Sequence, residues 1–299
     1  MHEELIEITG SAHVCTIIGA DTFLGSHLVR HLVENGQTVY GYTQNEKFDL
    51  DAEPSVIRGE GNASFPAAPE LSDWMLICLD PRVGFDKYIR SVRQICRHLL
   101  AKKYYGGICF LSSADICFSG QEPISERSPV LPRTERDLCI ATAENLLNVM
   151  LYQTGNEALP YIMRLGSIYG DETGMGNPFG FIDAQIRKAR ESRTVDVPVC
   201  AEMKRSVLHI SDACEAVIQL MASENCPTLV NIPGEEKTIA GITAEIMDRY
   251  QAKPHRISPQ QDDQFYCVAD QHLSDTLFRS TIDFTRSQSL GNWLAAQPR

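Results

Sequence analysis

Residues 16–29, TIIGADTFLGSHLV, decide how this chain is read. An apolar strand runs into a glycine turn. A helix follows, with Leu24, Leu28 and Leu32 on one face, and Asn35-Gly36 closes it as a C-cap pair. Gly19, Thr22 and Gly25 keep the spacing GxxGxxG of a loop that seats a dinucleotide pyrophosphate. In such loops the first glycine makes the tight turn, the second lets the backbone approach the pyrophosphate, and the third lets helix and strand pack closely. The amides at the helix start, from Thr22 through Phe23 and Leu24 to Gly25, are the donors available to phosphate. Thr22 stands where the second glycine belongs. A β-branched residue suits neither positive φ nor close approach, so the loop is expected to be compromised at this point.

The ribose of a dinucleotide is held at the end of the second strand. Thr43 stands there, followed by Gln44 and Asn45, with Lys47 the nearest cation. This offers neither the acid suited to NAD nor the arginine suited to NADP. Binding of NAD or NADP is left open by these residues, and so is a loop that only closes a β-α turn.

Outward from the loop, apolar runs alternate with helical patterns. HVCTIIG (13–19), TVYGYT (38–43), a weaker SVIRGE (55–60), DWMLICLD (73–80), GGICFLSS (106–113) and PYIMRLGSIYG (160–170) read as strands. Phe85, Tyr88, Ile89, Val92, Ile95, Cys96 and Leu99 mark one helix face; Ile140, Ala143, Leu147 and Met150 mark another. Unbroken apolar strands separated by helices imply an α/β fold, a Rossmann-like doubly wound parallel sheet covered on both sides. Residues 12–170 are expected to form the dinucleotide-binding core. Residues 171–299 are expected to form a smaller mixed α/β C-terminal substrate lobe, with about 205–234 returning to the core.

The composition limits the partners. The 299 residues are 43% apolar and 22% charged, with a net charge of −12. That charge argues against nucleic acid or an anionic membrane, but not against an anionic small molecule in a locally basic pocket. No apolar run approaches the ~20 residues of a membrane helix. The acidic start MHEELIEITG is not a signal peptide, so a cytoplasmic location is expected. The ten cysteines form no CxxC and are expected to be buried, reduced thiols. No metal site is expected. His27 and His31 are four apart, but no Glu follows His27, and a solvated helix face is the simpler reading.

Taken in order, IIGADTFLGSHLVRHLVENGQTVYGYT (17–43), GICFLSSADICFSG (107–120), EPISERSPVLPRTERDLCIATAENLL (122–147), YIMRLGSIYGD (161–171), KRSVLHISDACEAVIQLM (204–221) and NIPGEEKTIAGITAEIM (231–247) resemble the NAD-dependent epimerase/dehydratase family, the extended short-chain dehydrogenase/reductases. The resemblance covers almost the whole chain. It implies a nucleotide-sugar ligand, an NAD(P) cofactor and a catalytic Tyr with a Lys four residues later. Aligned on Pro132 and Glu144, the Tyr position is Arg136 and the Lys position is Ile140; no tyrosine in the chain has a lysine four residues on. Ser113 matches the family's catalytic Ser/Thr. Asp115 falls where its sugar dehydratases carry a glutamate base. Asn177 and Arg205 match residues that touch the nucleotide diphosphate. A second phosphate arginine is expected before VAD (268–270), where this chain has PQQDDQ.

The plainer readings are a turn residue for Ser113, a cap acid for Asp115 and a surface ion pair for Arg205. Three functions follow. One is a diverged member that binds a dinucleotide or nucleotide sugar with lost or altered redox catalysis. Another is an active nucleotide-sugar epimerase, dehydratase or reductase using a substitute acid such as Asp115, Tyr169 or the Arg136 region. The third is an interaction scaffold with an empty cleft. The apolar faces at 85–99 and 140–150 permit a homodimer and equally permit a core.

Overall fold

The strands are mostly apolar because both of their faces are covered. Successive residues of one strand enter different cores. Ile17 joins one and Ile18 the other; Leu76 and Met75 divide the same way, as do Cys109 and Phe110. The computed structural model describes residues 14–43, 55–57, 72–102, 106–117, 123–152, 160–170, 180–197, 201–223, 226–257, 276–281 and 286–298.

Seven strands form the main sheet: β1 (Val14–Ile18), β2 (Thr38–Tyr42), β3 (Ser55–Ile57), β4 (Trp74–Ile77), β5 (Gly107–Ser113), β6 (Tyr161–Leu165) and, much later in the chain, β10 (Leu229–Ile232). Their order is β10-β6-β5-β4-β1-β2-β3. All pairs are parallel except β2 with the edge strand β3, a placement common for an antiparallel strand. Helices α1 (Phe23–Glu34) and α5 (Ile210–Ala222) cover one face; α2 (Phe85–Lys102) and α3 (Glu135–Tyr152) cover the other.

The run 160–170 is not one strand. It breaks at Gly166 into β6, in the main sheet, and β7 (Ser167–Tyr169), which pairs with β9 (Lys204–His209). A Cβ on Gly166 would lie 2.6 Å from the Ser206 carbonyl oxygen, so only glycine passes here. β11 (Glu235–Thr238) completes this three-stranded sheet, and β8 (Thr194–Val197) pairs with β12 (Lys253–Arg256). A separate apolar cluster joins α4 (Phe181–Ser192), α6 (Ile239–Tyr250) and α8 (Leu290–Ala296). The six-residue helix α7 (Thr276–Thr281) puts Phe278 into the core shared by α1 and α5.

One open point narrows and one expectation changes. Of the faces at 85–99 and 140–150, Val92, Ile95, Leu99, Ala143 and Leu147 are fully buried in the core of one chain. His27 does not face solvent. It is 7% exposed, its Nδ1 lies 2.8 Å from the Phe23 carbonyl oxygen, and its ring packs on Phe23. Among the described residues no group of three or more His, Cys, Asp and Glu side chains could hold a metal, and no helix is long and apolar enough to cross a membrane. Of the described cysteines seven are buried and Cys226 is half-buried, all as free thiols.

Candidate functional site

The strand order reverses between β1 and β4. At such a switch point the connections leave in opposite directions and open a crevice at the carboxyl ends of the strands. A cleft of about 520 Å³ lies there. Its walls come from the turn after β1 (Thr22–Leu24), the segment after β4 (Cys78–Arg82), the ends of β5 and β6, and from α3, α4 and β9.

The glycine loop is tighter than its sequence suggests. Gly19 has φ 87°, and a Cβ there would lie 2.3 Å from the Cys78 carbonyl oxygen. A Cβ on Gly25 would lie 2.0 Å from the Gly19 carbonyl oxygen. Thr22 corrects the expectation of a compromised turn. It has φ −76° and ψ 162°, ordinary extended backbone for an N-cap, so no left-handed conformation is demanded of it. Its hydroxyl donates towards the Gly19 carbonyl (2.8 Å) and the Cys78 carbonyl (3.0 Å), and accepts from the Gly25 amide (3.1 Å). Thr22 thus stitches the turn after β1 to β4 across the switch point. It also occupies one first-turn amide, and Phe23 and Leu24 supply the others on the cleft wall. Thr43 is exposed at the end of β2.

The other end of the cleft is built on a reciprocal cap. The Thr134 Oγ1 accepts from the Asp137 amide and the Asp137 carboxylate accepts from the Thr134 amide, both at 3.1 Å, which fixes where α3 begins. Arg136 therefore sits on the first turn, lines the cleft and is 54% exposed, while Ile140 lines it from a buried position. Behind them Glu144 is buried. It accepts two bonds from Arg164, at 2.9 and 2.7 Å, and one from Ser112 at 2.5 Å. This pins α3 against β5 and β6.

Ser113 and Asp115 follow β5. The Ser113 hydroxyl accepts from the Asp115 amide at 3.2 Å and so caps the 3-10 turn Ala114–Ile116, the turn role weighed against catalysis. Asp115 is shared by two cations. Its Oδ1 lies 3.2 Å from Arg205 Nη1 and its Oδ2 lies 3.6 Å from Arg136 Nη1. Arg205, on β9, is 9% exposed, so its ion pair lies in the cleft wall rather than on the surface. The Arg205 Nη1 also lies 3.4 Å from the Ser167 hydroxyl.

Several expected residues are not brought together. Tyr169 is absent from the cleft wall. It packs edge-on against His209 and Trp293, and burial, reinforced by the carboxylates of Glu235, Asp212, Glu245 and Asp183, raises its phenol far above the ordinary value. Asn177, Lys47 and PQQDDQ lie outside the described residues.

Other groups were not anticipated. Asp80 and Arg82 form an ion pair just after β4 and line the cleft with Tyr88 and Arg187. Their place at the carboxyl end of a central strand was a usable signal for Asp80 and Arg82; Arg187, on the helical face of α4, had none. Burial pushes the Tyr88 phenol well up, which keeps it neutral. The cleft carries four arginines against two aspartates among its described residues, a formal excess of two positive charges in a chain of net −12.

The first turn of α1 (Phe23, Leu24), held close by Gly19 and Gly25, is the part of the cleft wall that suits a dinucleotide's phosphates. At the far end stand the Arg136 guanidinium, which only donates, and the Ile140 alkyl group.

A family model described as NAD dependent epimerase/dehydratase matches residues 15–232. No curated protein sequence matches the chain. Among solved structures, an NAD-dependent NDP-hexosamine 5,6-dehydratase of tunicamycin biosynthesis superposes with a TM-score of 0.71 at 18% identity, covering 96% of this chain and 99% of that one. The dTDP-glucose 4,6-dehydratase of Bacillus anthracis, in complex with NAD, gives 0.73 at 13% identity over 95% and 94%. The UDP-glucose 4-epimerase of Thermotoga maritima, with UDP-glucose, gives 0.69 at 17% identity over 94% and 96%. At these identities the likeness is one of fold.

Proposed function

The chain belongs to the NAD dependent epimerase/dehydratase family, and from that premise we propose that it binds a dinucleotide or nucleotide sugar without the family's tyrosine–lysine redox relay. The observation that carries this reading is that Arg136 and Arg205 both lie on Asp115 in the cleft, with Arg136 and Ile140 at the positions the resemblance gives to the relay. Arginine suits phosphate because its planar fork presents paired donors and never loses its charge. The excess of positive charge in the cleft supports an anionic ligand against the field of the whole chain. The phosphates of a dinucleotide are assigned to the amides of Phe23 and Leu24, and those of a nucleotide sugar to Arg205 with Asn177.

Among the substitute acids considered, an active enzyme is left with Asp115 or the Arg136 region, because Tyr169 does not line the cleft. Calorimetric titration of nucleotide-stripped protein with NAD⁺, NADH, NADP⁺, NADPH and UDP-glucose tests the proposal. The expected result is micromolar binding of at least one ligand, with any UDP-glucose binding weakened about tenfold or more in Arg205→Gln. Binding of none of the five leaves the scaffold reading in its place.

A further inference from the structure

Away from the cleft, α2 and α3 present two stripes to solvent. On α2 the buried Tyr88, Val92, Ile95 and Leu99 fix the side that faces the core. Arg90, Arg93 and Arg97 stand on the opposite side, three and four residues apart, and are exposed. Among the described residues no carboxylate pairs with any of the three. In a chain of net −12 this stripe reverses the local field. On α3 the outward side is apolar towards both ends. Leu138 stands near the start, and Val149 and Tyr152 follow three and four turns later, all exposed, Tyr152 to 75%.

The stripes run side by side. The Phe85 amide, at the start of α2, donates to Glu135, at the start of α3, at 3.1 Å, so the helices begin level. Each returns from one strand of the parallel set β4-β5-β6 to the next, so both run the same way. The surface they share is basic along one side and apolar along the other.

We propose that this face docks an amphipathic helix of a second protein, with carboxylates on the flank that meets Arg90, Arg93 and Arg97 and apolar side chains on the flank that meets Leu138, Val149 and Tyr152. The inference is independent of what the cleft binds. Carboxylates at i, i+3 or i+4 and i+7 match the arginines over about 10 Å, and four turns, about 21 Å, reach from Leu138 to Tyr152. A second copy of this chain fits less well. A two-fold contact offers each face only its own residues. The exposed acids of α2 and α3 are Asp86 and Glu135, and Glu135 already accepts from Phe85. The arginines of both copies would then be buried in excess. Nucleic acid or an anionic bilayer would bring its charge against the field of the whole chain.

The test is calorimetry on the full chain with two synthetic amphipathic peptides of about 18 residues, long enough to span both stripes. Both carry leucines on one flank; the other flank is glutamate in the first and lysine in the second. The glutamate peptide is expected to bind about tenfold or more tightly than the lysine peptide at low salt, and the gap to narrow at ~0.5 M salt. Arg90→Gln/Arg93→Gln/Arg97→Gln is expected to erase the gap, and Arg90→Lys/Arg93→Lys/Arg97→Lys to keep most of it. Val149→Ser/Tyr152→Ser is expected to weaken the glutamate peptide about tenfold. Melting temperatures near the wild-type value exclude misfolding of these surface variants. Failure of the glutamate peptide to bind, equal binding of the two peptides, or a gap that survives in the triple glutamine variant overturns the proposal. Tighter binding of duplex DNA or of phosphatidylserine vesicles than of the glutamate peptide also overturns it. So does a dimer in analytical ultracentrifugation that Val149→Ser/Tyr152→Ser splits, since the face would then be covered by a second copy.

Discussion

Thr22→Val removes one hydroxyl and keeps the shape, which isolates what that hydroxyl does. Three contacts are lost: donation towards the carbonyls of Gly19 and Cys78, and acceptance from the Gly25 amide. The Gly19 carbonyl keeps the Thr22 amide as a donor at 3.0 Å, so its loss is small. The Gly25 amide loses its cap and the Cys78 carbonyl loses this donor. Each such partly buried group costs about 1 kcal/mol, so the change is expected to destabilise the protein by about 2 kcal/mol. Urea unfolding measures it as a lower midpoint with an unchanged slope. Thr22→Ser, which keeps the hydroxyl, is expected to retain most of the stability. A midpoint for Thr22→Val indistinguishable from wild type would show that the hydroxyl does not hold the loop to β4.

Further outcomes concern the core, the thiols and the acid limb of stability. Glu144→Gln leaves the buried Arg164 guanidinium without its counter-charge and is expected to cost about 3–5 kcal/mol in urea unfolding. The double variant Glu144→Gln/Arg164→Met is expected to recover much of that loss, and no recovery would count against the pair as the source. Burial pushes the Cys15 thiol up to about 12 and those of Cys96 and Cys117 to about 11. Iodoacetamide at pH ~8 is therefore expected to spare these three in native protein and label them in urea, as read by peptide mass spectrometry.

Burial alone would raise the Asp196 carboxyl, but hydrogen bonds from Lys188 and His255 outweigh it and hold the carboxyl below its ordinary value. A lowered folded value means stability that is present above the unfolded value of ~3.9 and lost as pH falls through the folded one. The stability gap between wild type and Asp196→Asn is expected to close across that window. A gap independent of pH would contradict the assignment.

The sheet was legible because the central strands are mostly apolar on both faces, a pattern seen at Cys15, Ile17 and Ile18 and from Met75 to Ile77. The break at Gly166 was not, because a glycine between apolar residues looks the same whether the strand continues or changes sheet. Thr22 was misjudged for a different reason. Backbone preference argued against it, but the hydroxyl found three partners that no local pattern discloses. His27 looked solvated until its helix packed. That Arg136 and Ile140 stand at the family's Tyr and Lys positions came from the resemblance, aligned on Pro132 and Glu144. The meeting of two arginines on one aspartate was not readable, because it needed residues ninety apart to come together. Tyr169 was eligible by composition and excluded by direction, since its ring points into the cluster with His209 and Trp293.

This cleft is expected to bind its ligand without the family's relay. The most direct measurement incubates the protein in D2O with NAD⁺ and UDP-glucose, then follows nicotinamide absorbance and analyses the recovered sugar for epimer, keto product and deuterium. No reduced nicotinamide and an unchanged, unlabelled sugar are expected. Catalytic appearance of reduced nicotinamide, an epimer, a keto sugar or deuterium would contradict the loss of the relay, and its disappearance in Asp115→Asn would point to Asp115 as the working base.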